Sequence, residues 1–165
     1  MKNMTKALAL LFFITAVLIT ACTPKYKTVN GCEIHPRTQC SKFDLSETDL
    51  RWAKLRWADL RYANLRGADL REANLSQSNL IWANLRGANM RGAELRLADL
   101  RGADLREANL IWTNMSWADL RGADLRGAKL GGASLLGNLH RAIYNKLTKF
   151  PEDFDPESVW MLLAE

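Results

Sequence analysis

Residues 66–75 read RGADLREANL, and residues 101–110 repeat the same ten letters. Near-copies surround both stretches, so that residues 43–137 divide into nineteen consecutive units of five residues without an insertion. We number the positions within each unit as places one to five. Place three is leucine in seventeen units and methionine in two, and place one is alanine in fifteen units. This regularity decides the fold of most of the chain.

A period of five residues matches neither common secondary structure. An α-helix repeats every 3.6 residues and a strand every two residues, so neither gathers residues five apart on one face. A chain that turns a corner every five residues does gather them, and places one and three then point to the same side. The pattern therefore predicts a coiled chain with alanine and leucine inside and with places two, four and five outside.

The units follow the pattern A(D/N)LxX over 95 of the 165 residues, and this pattern resembles that of pentapeptide-repeat proteins. The resemblance implies an all-β fold, a right-handed quadrilateral β-helix with four units in each coil. Nineteen units then make about five coils, which short caps close at both ends. Because every unit presents the same interior, we expect stability to come from the stacking of units, as in other solenoids.

The chain begins with a charged segment and an apolar run, which together predict a secretory signal peptide over residues 1–21. Lys2 and Lys6 precede fifteen uncharged residues. As a helix, fifteen residues would span about 22 Å, less than the roughly 30 Å of a bilayer core. A signal peptide is therefore favoured over the alternative, a membrane-spanning helix.

Residues 19–22 read ITAC and resemble the lipobox of bacterial lipoproteins. The resemblance implies that Cys22 receives lipid and anchors the chain to a membrane of the bacterial cell envelope. An aspartate after the lipidated cysteine would favour retention at the inner membrane. Residue 23 is threonine, which favours sorting to the outer membrane, with the folded part of the chain facing the periplasm. Each buried lipid methylene contributes about 0.8 kcal/mol to such an anchor. The alternative is a secreted protein in which Cys22 has no special role.

Residues 22–40 are interpreted as a lipidated tether followed by an N-terminal cap. Cys32 and Cys40 lie eight positions apart, and paired thiols outside the cytoplasm tend to oxidise. They are therefore a candidate disulfide, with two free, buried cysteines as the alternative. Cys40 also lies in phase with the leucines at multiples of five, which places it at the first turn of the coil.

The five-residue register slips by one position at Gly137, so that Leu139 and Tyr144 come to stand at the inward place. On this reading the repeat shaft covers residues 41–146, and residues 147–165 form a C-terminal cap. A cap is needed because the end of a stacked β-coil exposes unpaired backbone groups that promote aggregation.

The C-terminal cap contains the aromatic residues expected to cover the last coil. Phe150, Phe154 and Trp160 are predicted to supply this apolar cover. Pro156 is suited to the first turn of a helix, and we expect a short helix from there through Leu163.

The outside of the predicted shaft carries two candidate binding features. With four units in each coil, residues twenty apart stack, which predicts an arginine ladder for an anionic ligand; the alternative is an ordinary mixed-charge face. Six aromatic residues at the outward place five form a candidate contact surface, and the alternative is local packing over neighbouring residues. The ladder comprises Arg66, Arg86, Arg106 and Arg126, and the aromatic set comprises Trp52, Trp57, Tyr62, Trp82, Trp112 and Trp117.

Charge and composition restrict the functions to be considered. The net charge is +5, falling to +3 when residues 1–21 are removed, and charges of both signs are mixed along the chain. No segment has the clustered basic residues of a nucleic-acid-binding arm. The sequence shows no catalytic triad and no metal-ligand spacing, so we expect neither enzymatic activity nor a cofactor nor a metal.

The leading functional hypothesis is a non-enzymatic envelope lipoprotein, a rigid scaffold that binds an envelope protein or polymer. A second copy of the chain, forming a homodimer, is a further candidate partner. The alternative is a DNA-mimic inhibitor that protects a topoisomerase, as in some pentapeptide-repeat proteins. Those proteins present a strongly acidic surface in the cytoplasm, which disagrees with the arginines and the export signal found here.

Overall fold

The computed structural model describes residues 26–165 and contains no helix in that range. Accordingly, no helix there is long and apolar enough to cross a membrane. The predicted signal peptide and Cys22 lie outside the described residues. Besides a long series of single-residue bridges, the described part contains four short strands, β1 (Thr28–Val29), β2 (Cys32–Glu33), β3 (Ile143–Tyr144) and β4 (Leu162–Leu163).

Parallel bridges connect each unit to the unit four places further along the chain. Place two of one unit pairs with place two twenty residues later, as in Asp49↔Asp69 and Asp69↔Asn89. The backbone N–H of Leu50 donates to the carbonyl of Asp69 at 2.8 Å, and the N–H of Asp69 donates to the carbonyl of Thr48 at 2.9 Å. Four units therefore complete one turn, and the backbone polar groups of each turn are satisfied by the turns above and below.

Places one and three form the interior, as the sequence predicts. Every place-three residue from Leu45 to Leu130 is at most 2% exposed, and the alanines at place one are almost fully buried from Ala58 to Ala128. Each buried leucine contributes about 2 kcal/mol relative to exposure. Where a hydroxyl replaces alanine at place one, it donates to the nearest carbonyl, as Ser78 does to Leu75 O at 2.7 Å.

A tight turn at places four and five joins neighbouring sides of the coil. In most units the N–H of the place-one residue donates to the carbonyl of the preceding place three, for example from Ala53 to Leu50 at 3.1 Å. The third residue of this four-residue turn, at place five, has a positive φ. This conformation matches turns that require a left-handed residue at their third position.

The N-terminal cap is a small hairpin attached to the first coil. Strands β1 and β2 are antiparallel, and a disulfide joins Cys32 to Cys40 with a Cα–Cα distance of 5.6 Å. The N–H of Cys40 donates to the carbonyl of Asp59 at 2.8 Å, as a place-three residue does. The disulfide therefore connects the hairpin directly to the interior column of the coil.

Two units of unusual length precede the C-terminal cap. Residues 133–136 form a four-residue unit, so that Asp119 pairs with Asn138, nineteen residues on. Residues 142–147 form a six-residue unit, after which Lys129 pairs with Lys149 and the twenty-residue spacing returns. The deletion places Leu139 on the inward side, and the later insertion restores the original spacing for Phe150.

The C-terminal cap contains a strand where the sequence predicted a helix. The expected helix from Pro156 to Leu163 is wrong: this segment turns and then forms β4, which pairs in parallel with β3. The reason is that the N–H groups of Leu162 and Ala164 donate at 2.8 Å to carbonyl groups at the edge of the last coil. A short helix would leave those carbonyl groups unpaired.

The aromatic cover of the last coil is smaller than expected. Phe150 lies between Tyr144 and Phe154, with ring centroids 5.6 and 5.1 Å away, and all three pack against the core. Trp160 does not belong to this cover, because it is 75% exposed. Its position at the turn before β4 directs it to the outside of the shaft.

Candidate functional site

Place five has a left-handed backbone throughout the shaft. The six aromatic residues of the candidate contact surface have φ values of 55–61°, and seven glycines at the same place have φ values of 65–71°. A left-handed conformation costs a residue with a side chain about 1–2 kcal/mol, and costs glycine little. Glycine is therefore the unstrained choice at these corners, and each aromatic residue is held there against a local preference.

The six aromatic residues remain open to solvent but do not form one continuous patch. Their side chains are 40–68% exposed. The twenty-residue register distributes them over three corner columns, of which only one holds two aromatic residues on successive turns. The columns pair Trp52 with Trp112, Trp57 with Trp117, and Tyr62 with Trp82, the last pair being the adjacent one.

Two of the tryptophan rings lie over a glycine on the next turn. A Cβ built on Gly102 would lie 2.7 Å from the ring of Trp82, and one built on Gly132 would lie 2.3 Å from the ring of Trp112. The guanidinium of Arg91 also lies 4.5 Å from the centroid of the Trp112 ring. Part of each ring is thus used for local packing, and the rest stays open to solvent.

Arginine side chains pack on the remaining tryptophans near the N-terminal end. The guanidinium of Arg56 lies 3.8 Å from the Trp57 ring centroid, and that of Arg37 lies 5.0 Å away. Arg51 lies 5.2 Å from the ring of Trp52. Such contacts contribute about 0.5–1 kcal/mol at exposed sites, so they offset part of the backbone strain.

The four arginines of the candidate ladder stack on one face, as their spacing requires. The bridges Asn64↔Asn84, Asn84↔Asp104 and Asp104↔Asp124 run beneath them. Carboxylates neutralise three of the four: Arg86 pairs with Glu107 at 2.8 Å, Arg106 pairs with Asp104 at 2.6 Å, and Arg126 pairs with Asp124 at 2.6 Å. Of these four arginines, only Arg66 has no ion pair with a residue that the structure describes, so this face offers little free positive charge.

A repeated Asp–Arg pair within one unit, which we call a clamp, neutralises the charge of many of the arginines. In seven units an aspartate at place two accepts hydrogen bonds from the arginine two residues later, as Asp119 does from Arg121 Nη2 at 2.6 Å. The backbone N–H of Arg121 donates to the same carboxylate at 3.2 Å. These bonds from Arg121 hold the pKa of Asp119 below its ordinary value, and they raise the pKa of Arg121.

The sequence pattern at places two and four indicates this clamp. In residues 43–137 every aspartate at place two, apart from Asp44, has arginine at place four of the same unit. Asparagine at place two is followed by arginine, isoleucine or serine. Aspartate at this place therefore neutralises its own unit, and the surface charge cannot be read from arginine counts alone.

Two grooves near the C-terminal end were not predicted from the sequence. The first has a volume of about 550 Å³ and lies where the four-residue unit lacks a place five, beside Trp117, Leu136 and Trp160. The second, about 440 Å³, lies above Trp82 and is bounded by Arg121, Gly122, His140 and Arg141. The signal that could have indicated them is the register slip at Gly137, which alters the corner columns.

The outward surface of the shaft is made of a few recurring kinds of side chain. Within residues 26–165, no three His, Cys, Asp or Glu side chains are grouped so as to hold a metal ion. The outward side chains are instead aromatic rings, arginine–aspartate pairs and small polar groups arranged at fixed spacing on a rigid wall. Such a wall can present the same contact at repeated positions along a partner.

The comparisons with known proteins agree with the geometry. The pentapeptide repeats family matches in eight copies over residues 48–87, 78–116 and 118–137, more than half of the chain. The chain is similar to the solved structure of a pentapeptide repeat protein (Rfr23) from the cyanobacterium Cyanothece 51142, with 30% identity and a TM-score of 0.57, covering 68% of this chain and 87% of that one.

A second solved structure is similar in fold alone. QnrB1, a plasmid-mediated fluoroquinolone resistance protein, shares 19% identity with a TM-score of 0.51, covering 77% of this chain and 78% of that one. None of the curated proteins matches the chain significantly. The repeats match over more than half of the chain, and its alanine and leucine columns are buried at the spacing that those repeats require. The chain therefore belongs to the pentapeptide repeat family, whose members fold as right-handed quadrilateral β-helices.

Proposed function

We propose that the chain is a non-enzymatic lipoprotein of the bacterial cell envelope, a rigid β-helix of about five coils that binds an envelope protein or polymer. The observation that carries this proposal is the set of exposed aromatic residues at left-handed corners. Glycine occupies the same place in other units without strain. Large aromatic side chains that stay exposed at a place better suited to glycine form a candidate contact surface.

The proposed anchor rests on the sequence around Cys22. Thr28, where β1 begins, lies six positions after Cys22, with residues 23–27 between them. Fully extended, six residues reach at most about 21 Å. The N-terminal cap is then held close to the membrane surface, and the corner columns are presented to partners in the periplasm. The outer membrane is the proposed location, because Thr23 lacks the charge of an inner-membrane retention signal.

Membrane fractionation tests the anchor. Cells expressing the wild-type chain and the Cys22→Ala variant are separated into soluble, inner-membrane and outer-membrane fractions. We expect the wild type in the outer-membrane fraction and the variant outside it. A wild-type chain that is found in the soluble fraction would contradict the anchor, whatever the outcome for binding.

Capture from envelope extracts tests the contact surface. The wild type is compared with a Trp52→Gly/Trp57→Gly variant, since glycine suits the left-handed corner and the fold is preserved. Leu97→Gly is the matched control, because Leu97 occupies place five with a φ of 59° and is 42% exposed. Partners lost from the double variant but kept by the control support the proposal. Identical partners from all three proteins would contradict a contact role for these two tryptophans.

The alternative, a DNA-mimic inhibitor that protects a topoisomerase, is less well supported. The likeness to QnrB1, at 19% identity, concerns the fold. A DNA mimic requires rows of unpaired carboxylates, whereas seven of the eight aspartates at place two are bonded here to the arginine of their own unit. The surface is therefore locally neutral where a mimic would be strongly acidic.

A further inference from the structure

We propose that the groove above Trp82 binds an acidic sugar unit of an envelope polysaccharide. This inference rests on the proposed binding function and names the ligand class for one site. The groove belongs to the corner column that contains Tyr62, Trp82, Gly102, Gly122 and Arg141. Its volume of about 440 Å³ falls within the range of about 300–1,000 Å³ that is typical of ligand sites.

The Trp82 ring forms one wall of the groove. It lies against Gly102, where any Cβ would come within 2.7 Å of the ring, and it remains 60% exposed. The next corner, Gly122, has open space above it: a Cβ there would meet no atom within 4 Å. Gly122 therefore leaves open space beside the Trp82 ring, which packs on Gly102, and Ile143 and Leu162 add apolar atoms to the lining.

The positive charge available in the groove comes from its upper end. Arg101 pairs with Asp99 at 2.7 Å, and Arg121 pairs with Asp119 at 2.6 Å, so both guanidinium groups are already engaged. Arg141 and His140 are exposed, and neither forms an ion pair with any residue that the structure describes. The guanidinium of Arg141 is thus the principal group available to an incoming anion.

An acidic sugar fits this combination of surfaces. The C–H face of a pyranose ring packs on an aromatic ring, and a carboxylate suits the planar fork of an arginine. Because the groove is open to solvent along the shaft, a polymer can pass through it. A nucleic acid carries a phosphate at every nucleotide and needs several free cations. One free arginine beside the Trp82 ring instead matches the single carboxylate of one sugar that stacks on that ring.

The experiment measures binding of defined oligosaccharides to the full chain in detergent by calorimetry. The probe is hexagalacturonate, the neutral control is maltohexaose, and inorganic phosphate tests for binding of the anion alone. We expect hexagalacturonate to bind at least about tenfold more tightly than either control. Equal binding of phosphate and hexagalacturonate, or no binding of hexagalacturonate, would overturn the proposal.

Two glycine substitutions provide a matched test of location. Gly122→Trp fills the groove, whereas Gly87→Trp adds the same side chain at another corner; both glycines have a φ of 67° and open space above them. The chain already holds tryptophan in this conformation, for example at Trp52, so both variants are expected to fold. We expect Gly122→Trp to weaken hexagalacturonate binding about tenfold or more and Gly87→Trp to leave it within about twofold.

Substitutions at the ring and the cation separate their roles. Trp82→Tyr should retain binding, since tyrosine occupies the same place at Tyr62, and Trp82→Gly should lose it. Arg141→Gln should weaken hexagalacturonate binding about tenfold and leave the weak maltohexaose signal unchanged. If Arg141→Gln and Trp82→Gly both bind like the wild type, the groove is not the site. Because these assays do not involve the lipid, they are independent of the outcome for Cys22.

Discussion

At the scale of the residue, place five shows a conflict between backbone and side chain. The turn requires a positive φ, which suits glycine, yet the chain places tryptophan, tyrosine, glutamate and leucine there as well. At place five, a glycine variant should therefore be more stable than an alanine variant, which is the reverse of the usual order. In an ordinary conformation glycine is less stable than alanine by roughly 0.5–1 kcal/mol.

Leu97 allows this reversal to be measured away from the proposed sites. We expect Leu97→Gly to be more stable than Leu97→Ala by about 1 kcal/mol, because alanine keeps the Cβ that is strained at a φ of 59°. Chemical denaturation of both variants measures the difference in the free energy of unfolding. Ile81, at place four, is the control. There we expect Ile81→Ala to have a larger free energy of unfolding than Ile81→Gly. The same order at both positions would show that place five is unstrained.

At the scale of the element, the repeating unit could be predicted from the sequence, and the ends could not. Alanine and leucine recur in one register, so the burial of Leu50 or Leu100 follows from spacing alone. β4 forms because a distant edge has unpaired backbone groups, and the local proline suggested a helix instead. The groove above Trp82 arises where glycines on two turns meet residues of the cap, a juxtaposition that appears only after the coil is stacked.

The four-residue unit at residues 133–136 depends on a glycine that follows it. Gly137 occupies place one, and a Cβ there would lie 2.3 Å from the carbonyl oxygen of Ala118. We expect Gly137→Ala to destabilise the chain by about 1–3 kcal/mol, because backbone must move to admit the methyl group. Thermal unfolding measures the effect.

Gly131 supplies the matched control for that substitution. A Cβ at Gly131 would meet no atom within 4 Å, and its φ does not lie in the left-handed range. Gly131→Ala should therefore be neutral or stabilising by up to about 1 kcal/mol. Equal losses at Gly131 and Gly137 would mean that the contact with Ala118 is not the cause.

The N-terminal cap depends on the disulfide between Cys32 and Cys40. Closing an eight-residue loop stabilises the folded state by about 2–3 kcal/mol through the entropy of the unfolded chain. Reduction should therefore lower the Tm by about 5–10 °C. The Cys32→Ala/Cys40→Ala variant is the control, since its Tm should not respond to reductant. An unchanged Tm of the wild type under reduction would show that the cap does not limit the stability of the shaft.

At the scale of the whole molecule, the Asp–Arg clamps make the shaft locally neutral although its net charge is positive. Each clamp is short and partly exposed, so each contributes modestly to stability. Their number matters because they respond together to pH. The arginine hydrogen bonds hold the pKa values of Asp59, Asp69 and Asp119 below the ordinary value of an aspartate.

These lowered pKa values predict a stability that is lost in acid. Near pH 4 the folded chain binds fewer protons than the unfolded chain, so stability rises with pH there and is complete above the unfolded pKa of about 3.9. We expect the Tm to be level from pH 7 to pH 5 and to fall as the pH drops below about 4 towards the lowered pKa values. Asp119→Asn should lower the Tm at pH 7 by about 1–2 °C and make the fall in acid smaller, whereas Asp153→Asn, in the exposed cap, should change neither. A wild-type Tm that rises below pH 4 would show that the clamps do not stabilise the shaft.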